Sequence, residues 1–326
     1  MNNLEALASI SRLSENVVRV LGQNPGKFTL QGTNTYIIGR KRPFTLVDTG
    51  EGRVEYTPLL ETALQDAGKE SASDEHEVDV SDIIISHWHG DHVGGLPAVL
   101  GLLRQLWNER NGGAPFKPPR LHKFPSLQTP NAHDQLPSIL ASLPPDSYTS
   151  SPAGNPFHEL TDGQALVNLR VLHTPGHTTD SIALHVPSDK ALYTADTVLG
   201  QGTAVFEDLA AYMRSLQRML TFAREQGADK LYPGHGPVVV QGKELIETYI
   251  AHRQDRENQL LELLKDEKPW STWTMVTTLY KSYPESLWLP AAHSVDLHMK
   301  KLEEDGAVRK LGGEGKDAEW QVVQTK

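Results

Sequence analysis

The stretch Ser86-His87-Trp88-His89-Gly90-Asp91-His92 constrains this chain more than any other. It sets three imidazoles and a carboxylate within six residues, directly behind the apolar run Asp82-Ile83-Ile84-Ile85. A β-branched run that ends in a polar, Gly-containing segment reads as a buried strand opening into a loop. Such a loop can fold its alternate side chains around one point, whereas a helix would spread them. Imidazole nitrogen and carboxylate oxygen are ligands for first-row metals, and zinc is the commonest metal in mixed sites of this kind. One histidine is often purely structural; a set at this spacing points to a metal.

The motif recurs along the chain as a strand, a metal-type residue and a Gly-rich loop. Residues 17–21 read as a first strand, and 33–39 with 44–48 as a pair around a turn at 40–43. Residues 57–67 and 96–107 carry helical spacing. A strand over 166–172 leads to His173-Thr174-Pro175-Gly176-His177; strands at 182–186 and 191–194 end at Ala195-Asp196; residues 230–232 lead to Pro233-Gly234-His235-Gly236-Pro237. Between them, 209–226 reads as a helix. Seven residues suffice for two divalent ions, with zinc favoured and manganese also suited. His87, His89 and His177 would hold one ion and Asp91, His92 and His235 the other, with Asp196 bridging. On residue grounds, ligands from separate strand ends converge only if those strands share a sheet. His173 is the rival to His177, but it lies before Pro175, whereas His177 follows the turn as His235 does. His185 falls inside an alternating strand and reads as a packed side chain. Asp48 leaves its strand before Thr49-Gly50, either as a turn cap or as an acid orienting a ligating histidine.

The chain has 326 residues, a length for two domains or one large one, and a formal charge of −10 that disfavours non-specific nucleic-acid binding. With no cysteine, disulfides, thiol nucleophiles and Cys-ligated metal are excluded. The first residues carry two acids and no long apolar core, and no run approaches bilayer length, so a cytoplasmic protein with no membrane partner is expected. Residues 111–156 hold ten of the 21 prolines. A segment over 109–156 therefore reads as a long insertion, with a short helix near 134–143, that roofs the site or is disordered. Residues 71–79 read as a solvated acidic loop. From 248 onward the chain reads as helical (248–264, 273–280, 292–304), closing with short strands at 307–310 and 319–323. We expect a catalytic domain over 1–240 and a small winged-helix-like domain over 241–326. The latter contains 12 Lys and Arg against 15 Asp and Glu, which favours packing over a nucleic-acid wing.

The ordered set His87-Trp88-His89-Gly90-Asp91-His92, His173-Thr174-Pro175-Gly176-His177, Asp196 and Pro233-Gly234-His235-Gly236 resembles the metallo-β-lactamase superfamily. The resemblance implies an α/β fold, a four-layer αβ/βα sandwich with a dinuclear site at the joined edges of two mixed sheets. One departure is Ala195, where many relatives have Gly; the added methyl is harmless unless the backbone needs positive φ. Residues 24–36, Asp48-Thr49-Gly50-Glu51-Gly52, 199–209 and 297–303 are similar to the lactamase-β-like-2 branch. That branch contains animal endoribonucleases selective for single strands and fungal thioesterases that release polyketides from non-reducing synthases. The Pro-rich insertion and the wording of 200–208 look more like the fungal group. The implied function is a metal-dependent thioesterase whose partner is the acyl carrier protein of a polyketide synthase. RNA enters only under the endoribonuclease alternative, and a metal-stabilised binding module without activity is a third reading. Asp91 and His92 are the expected catalytic residues. Thr33, Asn34 and Thr203 would meet substrate or make ordinary turn hydrogen bonds. Lys300, Lys301, Arg309 and Lys310 are candidates for a local basic patch facing the carrier.

Overall fold

In the computed structural model, which describes residues 4–70, 77–126, 133–266 and 268–323, two sheets pack face to face. The first has seven strands in sequence order: β1 (Ile10–Arg12), β2 (Val17–Leu21), β3 (Asn34–Ile38), β4 (Phe44–Val47), β5 (Val80–Ile85), β6 (Arg120–Lys123) and β7 (Phe157–Glu159). Pairing is antiparallel as far as β4 and parallel from β4 to β7. The second contains β8 (Ala165–Leu166), β9 (Leu169–His173), β10 (Ile182–Val186), β11 (Ala191–Ala195) and β12 (Lys230–Pro233), in the order β12-β11-β10-β9-β8.

Alternation along each strand divides its side chains between two cores. Ile83 and Ile85 face the helices α1 (Tyr56–Ala67) and α3 (Leu96–Asn111), packing with Leu60, Leu64, Val99 and Leu103. A short α2 (Gly90–Val93) precedes α3, and α4 (Leu136–Ser142) follows it. Ile84 points the other way, into a sheet-on-sheet core with Tyr36, Val47, Ile182, Leu184, Tyr193 and Tyr232. On the far side, Leu172, Ala183, Leu192 and Leu231 meet Tyr212, Leu216 and Met219 of α5 (Leu209–Gln226) and Ile246 and Tyr249 of α6 (Gly242–Leu263). The result is a four-layer αβ/βα sandwich. Strands covered on both faces are buried throughout, as β2, β3, β10 and β11 are, and the polar residues they carry, Arg19, Asn34, Thr35, His185 and Thr194, are buried with them. Helix α5 starts where the Asp208 side chain accepts from Ala211 N–H and stops at the left-handed Gly227.

Beyond the sandwich, α7 (Thr272–Leu279) and α8 (Trp288–Glu304) pack on a three-stranded sheet of β13 (Trp270–Ser271), β14 (Val308–Gly312) and β15 (Glu319–Val322), a helical winged-helix unit. Helix α6 serves both parts. Its Ile246 and Tyr249 belong to the core of the second sheet, and its Leu260 belongs to the C-terminal core. Among the described residues, no helix is long and apolar enough to cross a membrane.

Three expectations need correction. The strands bearing the metal-type residues do not share one sheet; β5 is in the first, and β9, β11 and β12 are in the second. The strand read over 166–172 is a tight hairpin of β8 and β9, broken at Val167, whose φ of 54° leaves the β region. The Pro-rich segment supplies β6 to the middle of the parallel sheet and α4 to its helical layer, with Leu121, Leu136 and Leu143 in the core. It was illegible because Arg120-Leu121-His122-Lys123 carries three polar residues whose partners come from elsewhere. Arg120 and His122 bond Asp82, and Lys123 pairs with the buried Asp180. Residues 127–132 of this segment and 71–76 of the acidic excursion lie outside the described residues. In the described end of that excursion, expected to be solvated, Asp79 is buried and pairs with Arg42 and Arg110.

Candidate metal centre

All seven predicted residues meet where the open edges of the two sheets adjoin. Backbone bonds join these edges: Asn34 N–H donates to Gly234 O at 2.7 Å, and Ile182 N–H donates to Ser86 O at 3.1 Å. The turn after β5 delivers His87 and His89, and α2 delivers Asp91 and His92. From the second sheet come His177 after β9, Asp196 after β11 and His235 after β12. One atom each of His87, His89, His177 and Asp196 lies within 4.8 Å of the others, and the same holds for Asp91, His92 and His235. Asp196 spans both groups, with Oδ2 3.7 Å from His177 Nε2 and 3.2 Å from His235 Nε2, and Oδ1 3.4 Å from His92 Nε2.

The donor set fits divalent metal. His89 Nδ1 faces both His87 Nε2 and His177 Nε2 at 3.0 Å, so three imidazole nitrogens converge on one point. His92 Nε2 and Asp196 Oδ1 are buried with no hydrogen-bond partner. Orphaned atoms of this kind carry a penalty that a shared cation removes. The opposite ring nitrogens are held by the protein. His87 Nδ1 meets Ser86 Oγ at 2.9 Å, His92 Nδ1 meets Asp48 Oδ2 at 2.7 Å, and His177 Nδ1 meets Val205 O at 2.8 Å.

Electrostatics divide the cluster. Burial, aided by the neighbouring imidazoles, pushes His87 well below its ordinary pKa and His89 down to about 4, so both are neutral. Burial would also lower His92, but the Asp91, Asp48 and Asp196 carboxylates hold it well above the ordinary value. For His235 the Asp196 carboxylate, aided by Asp91, outweighs burial and raises it to about 9. Burial is likewise outweighed at Asp196 and Asp91, both held below the usual carboxylate range, at Asp196 by His235 and His92 and at Asp91 by His92 and His235.

Asp48 turns its carboxylate inward at φ 60°, accepting from Ser86 N–H and Oγ at 2.8 Å each and from the Tyr193 hydroxyl as well as meeting His92. Thr33 is fully buried and donates to Asp91 Oδ2 at 2.8 Å. Asn34, also fully buried, donates to Pro233 O and Gly236 O. Neither is exposed, whereas Thr203 is exposed and lines the cavity over the cluster. Ala195 has φ 44°, the left-handed condition under which its methyl matters, at a cost of about 1 kcal/mol. His173 stacks on Phe124 and bonds Thr179 O, outside the cluster. His185 packs against Phe222.

A cavity of about 330 Å³ opens over the cluster. Its walls are residues 27–30, 199 and 201–205; among the described residues, none from 109–156 lines it. Residues 127–132 of the expected roof lie outside the described residues, and Gln135 of the same segment lies beside Gly90 of the metal loop. Phe28 and Val205 stand 69% and 57% exposed beside the opening. The expected basic patch is already engaged: Lys300 pairs with Asp296, Lys301 with Glu257 and Asp305, and Lys310 with Glu314, while Arg309 bonds Gln321. Tyr193 and the Val205 carbonyl escaped the sequence reading because nothing local marks a strand hydroxyl or a loop carbonyl as facing a histidine.

Residues 28–235 match the model of the metallo-beta-lactamase superfamily, and 271–320 match the beta-lactamase associated winged helix domain. A "Beta-lactamase-like protein 2 homolog" of Drosophila melanogaster is 36% identical, covering 93% of each chain. An "Atrochrysone carboxyl ACP thioesterase" of Claviceps purpurea is 32% identical over 86% of this chain and 76% of its own. Among solved structures, a metallo-beta-lactamase family protein of Thermus thermophilus shares the fold, with TM-score 0.63 and 23% identity over 96% of this chain and 100% of its own.

Proposed function

From the premise that this chain belongs to the metallo-β-lactamase superfamily of hydrolases, we propose that it hydrolyses an acyl thioester presented by an acyl carrier protein. Two divalent ions, zinc by preference, would be held by His87, His89 and His177 and by Asp91, His92 and His235, with Asp196 shared. When bound, such ions supply Lewis acidity and lower the pKa of water. The chain's own residues do the rest. Asp48 fixes the His92 ring, Thr33 fixes the Asp91 carboxylate, and Asp91 would orient the attacking water. A thiol has a pKa of about 8.5, so a thiolate leaves without a strong acid beside it.

The observation that carries this reading is the opening. Phe28, Leu30, Leu199 and Val205 line it, and Lys27 is the one Lys or Arg among the described lining residues. That surface suits an apolar acyl group better than a phosphate backbone, whose binding scales with the charges neutralised. The similarity to the Claviceps purpurea thioesterase supports the same choice. Single-strand RNA cleavage is the second reading; on its side is the near end-to-end match to the animal relative.

Metal-loaded protein is to be offered an acyl group on its carrier protein and, separately, single-stranded RNA. Metal-dependent acyl release, lost in Asp196→Ala, is expected. RNA cutting abolished in Asp91→Ala, without acyl release, would reverse the choice.

A further inference from the structure

The wall over 199–206 contains no helix or strand, yet it bounds the cavity, and its Val205 carbonyl accepts the hydrogen bond that orients His177. Its backbone is held from behind by one face of α6. Leu199 N–H donates to the Tyr249 hydroxyl at 3.3 Å, which in turn donates to Gly202 O at 2.9 Å. One turn further on, Arg253 Nη2 donates to Ala204 O at 3.0 Å, and its guanidinium lies 4.8 Å from the Phe206 ring centre. Residues four apart share a helix face, so both act on the same loop.

Arg253 is only 8% exposed. Burying a guanidinium is costly unless its bonds require it, and apolar packing there would be served by a neutral side chain. Glu257, one turn along and 2% exposed, takes Lys301 at 3.0 Å. The carbonyls of Ala204 and Val205 are adjacent in the chain. A shift that frees the first moves the second, and with it the His177 ring.

We infer that Arg253, with Tyr249, is a positioning residue of the metal centre: it fixes the Ala204-Val205 segment that aims His177 and shapes the substrate wall. The inference rests on the hydrolase reading for its kinetic consequence alone, since metal binding can be measured without substrate.

The test is a titration of the full chain with cobalt(II), followed by visible absorption, which reports the ligand set. Arg253→Met keeps the stem and removes the donor. Affinity at the group containing His177 should fall about tenfold or more, with an altered spectrum, and KM for a thioester should rise. Arg253→Lys should recover part of the affinity. Arg256→Met, facing Tyr280, should match the parent protein. Should Arg253→Met fail to fold by thermal melting, Tyr249→Phe carries the test, with a smaller loss in the same direction. A folded Arg253→Met or Tyr249→Phe protein with unchanged cobalt affinity and spectrum overturns the inference. Normal cobalt binding with no thioester turnover in the parent protein counts against the substrate reading alone.

Discussion

Asp48 makes four contacts from one buried carboxyl group, and both of its oxygens accept. Asp48→Asn keeps the shape but replaces one accepting oxygen with an NH2 donor that must face a donor; a loss of metal affinity of about 10- to 100-fold is expected by calorimetry. A folded variant with parent affinity would refute this. Gly234 has a different role. A Cβ there would lie 2.3 Å from Asp196 Oδ1, so Gly234→Ala should displace the shared carboxylate and cut metal content measured by elemental analysis. Protons compete for the same ligands. In the ion-free protein His235 keeps its proton to about pH 9, and His92 stays charged above its ordinary range. Loading near neutral pH must therefore expel protons, and apparent affinity must weaken as pH falls, because acid stabilises the competing charged imidazoles. Proton release in weakly buffered solution measures this; uptake with no release would contradict it. The seven metal-type residues were legible because they sit at strand ends in Gly-rich turns. The side chains that aim them were not, since Tyr193 reaches Asp48 only once the sheets are stacked.

Among elements, β6 sets the stability prediction. Leu121→Ala removes a fully buried side chain from the core between β5 and the helices and should cost about 2–5 kcal/mol in denaturant unfolding. Excising 113–153 would take out β6 and α4 together, so we expect insoluble protein rather than selective loss of large substrates. A soluble, cooperatively melting deletion would show that β6 is dispensable. Elements with local punctuation were readable: α5 was expected over 209–226 and found there, with Asp208 and Gly227 marking its ends. Strands whose pattern is set by distant partners were not. β6 hides its nature because Asp82 and Asp180 neutralise its charges, and β1 and β7 are too short to show a period.

At the scale of the molecule, the two groups draw on both sheets, so ions that bind only the folded chain would tie the halves of the sandwich together. Saturation at about a thousandfold above Kd adds roughly 4 kcal/mol per site. Chelation should then lower the melting temperature by roughly 10 °C. Identical calorimetric traces with and without chelator would rule this out. Because the first sheet's ligands lie in one short stretch while His177, Asp196 and His235 are scattered over the second, neither group is complete until the layers have docked. The bound ion is therefore a clock for assembly. During refolding, cobalt should gain its visible colour only after secondary structure has formed, in step with burial of the tyrosines between the sheets.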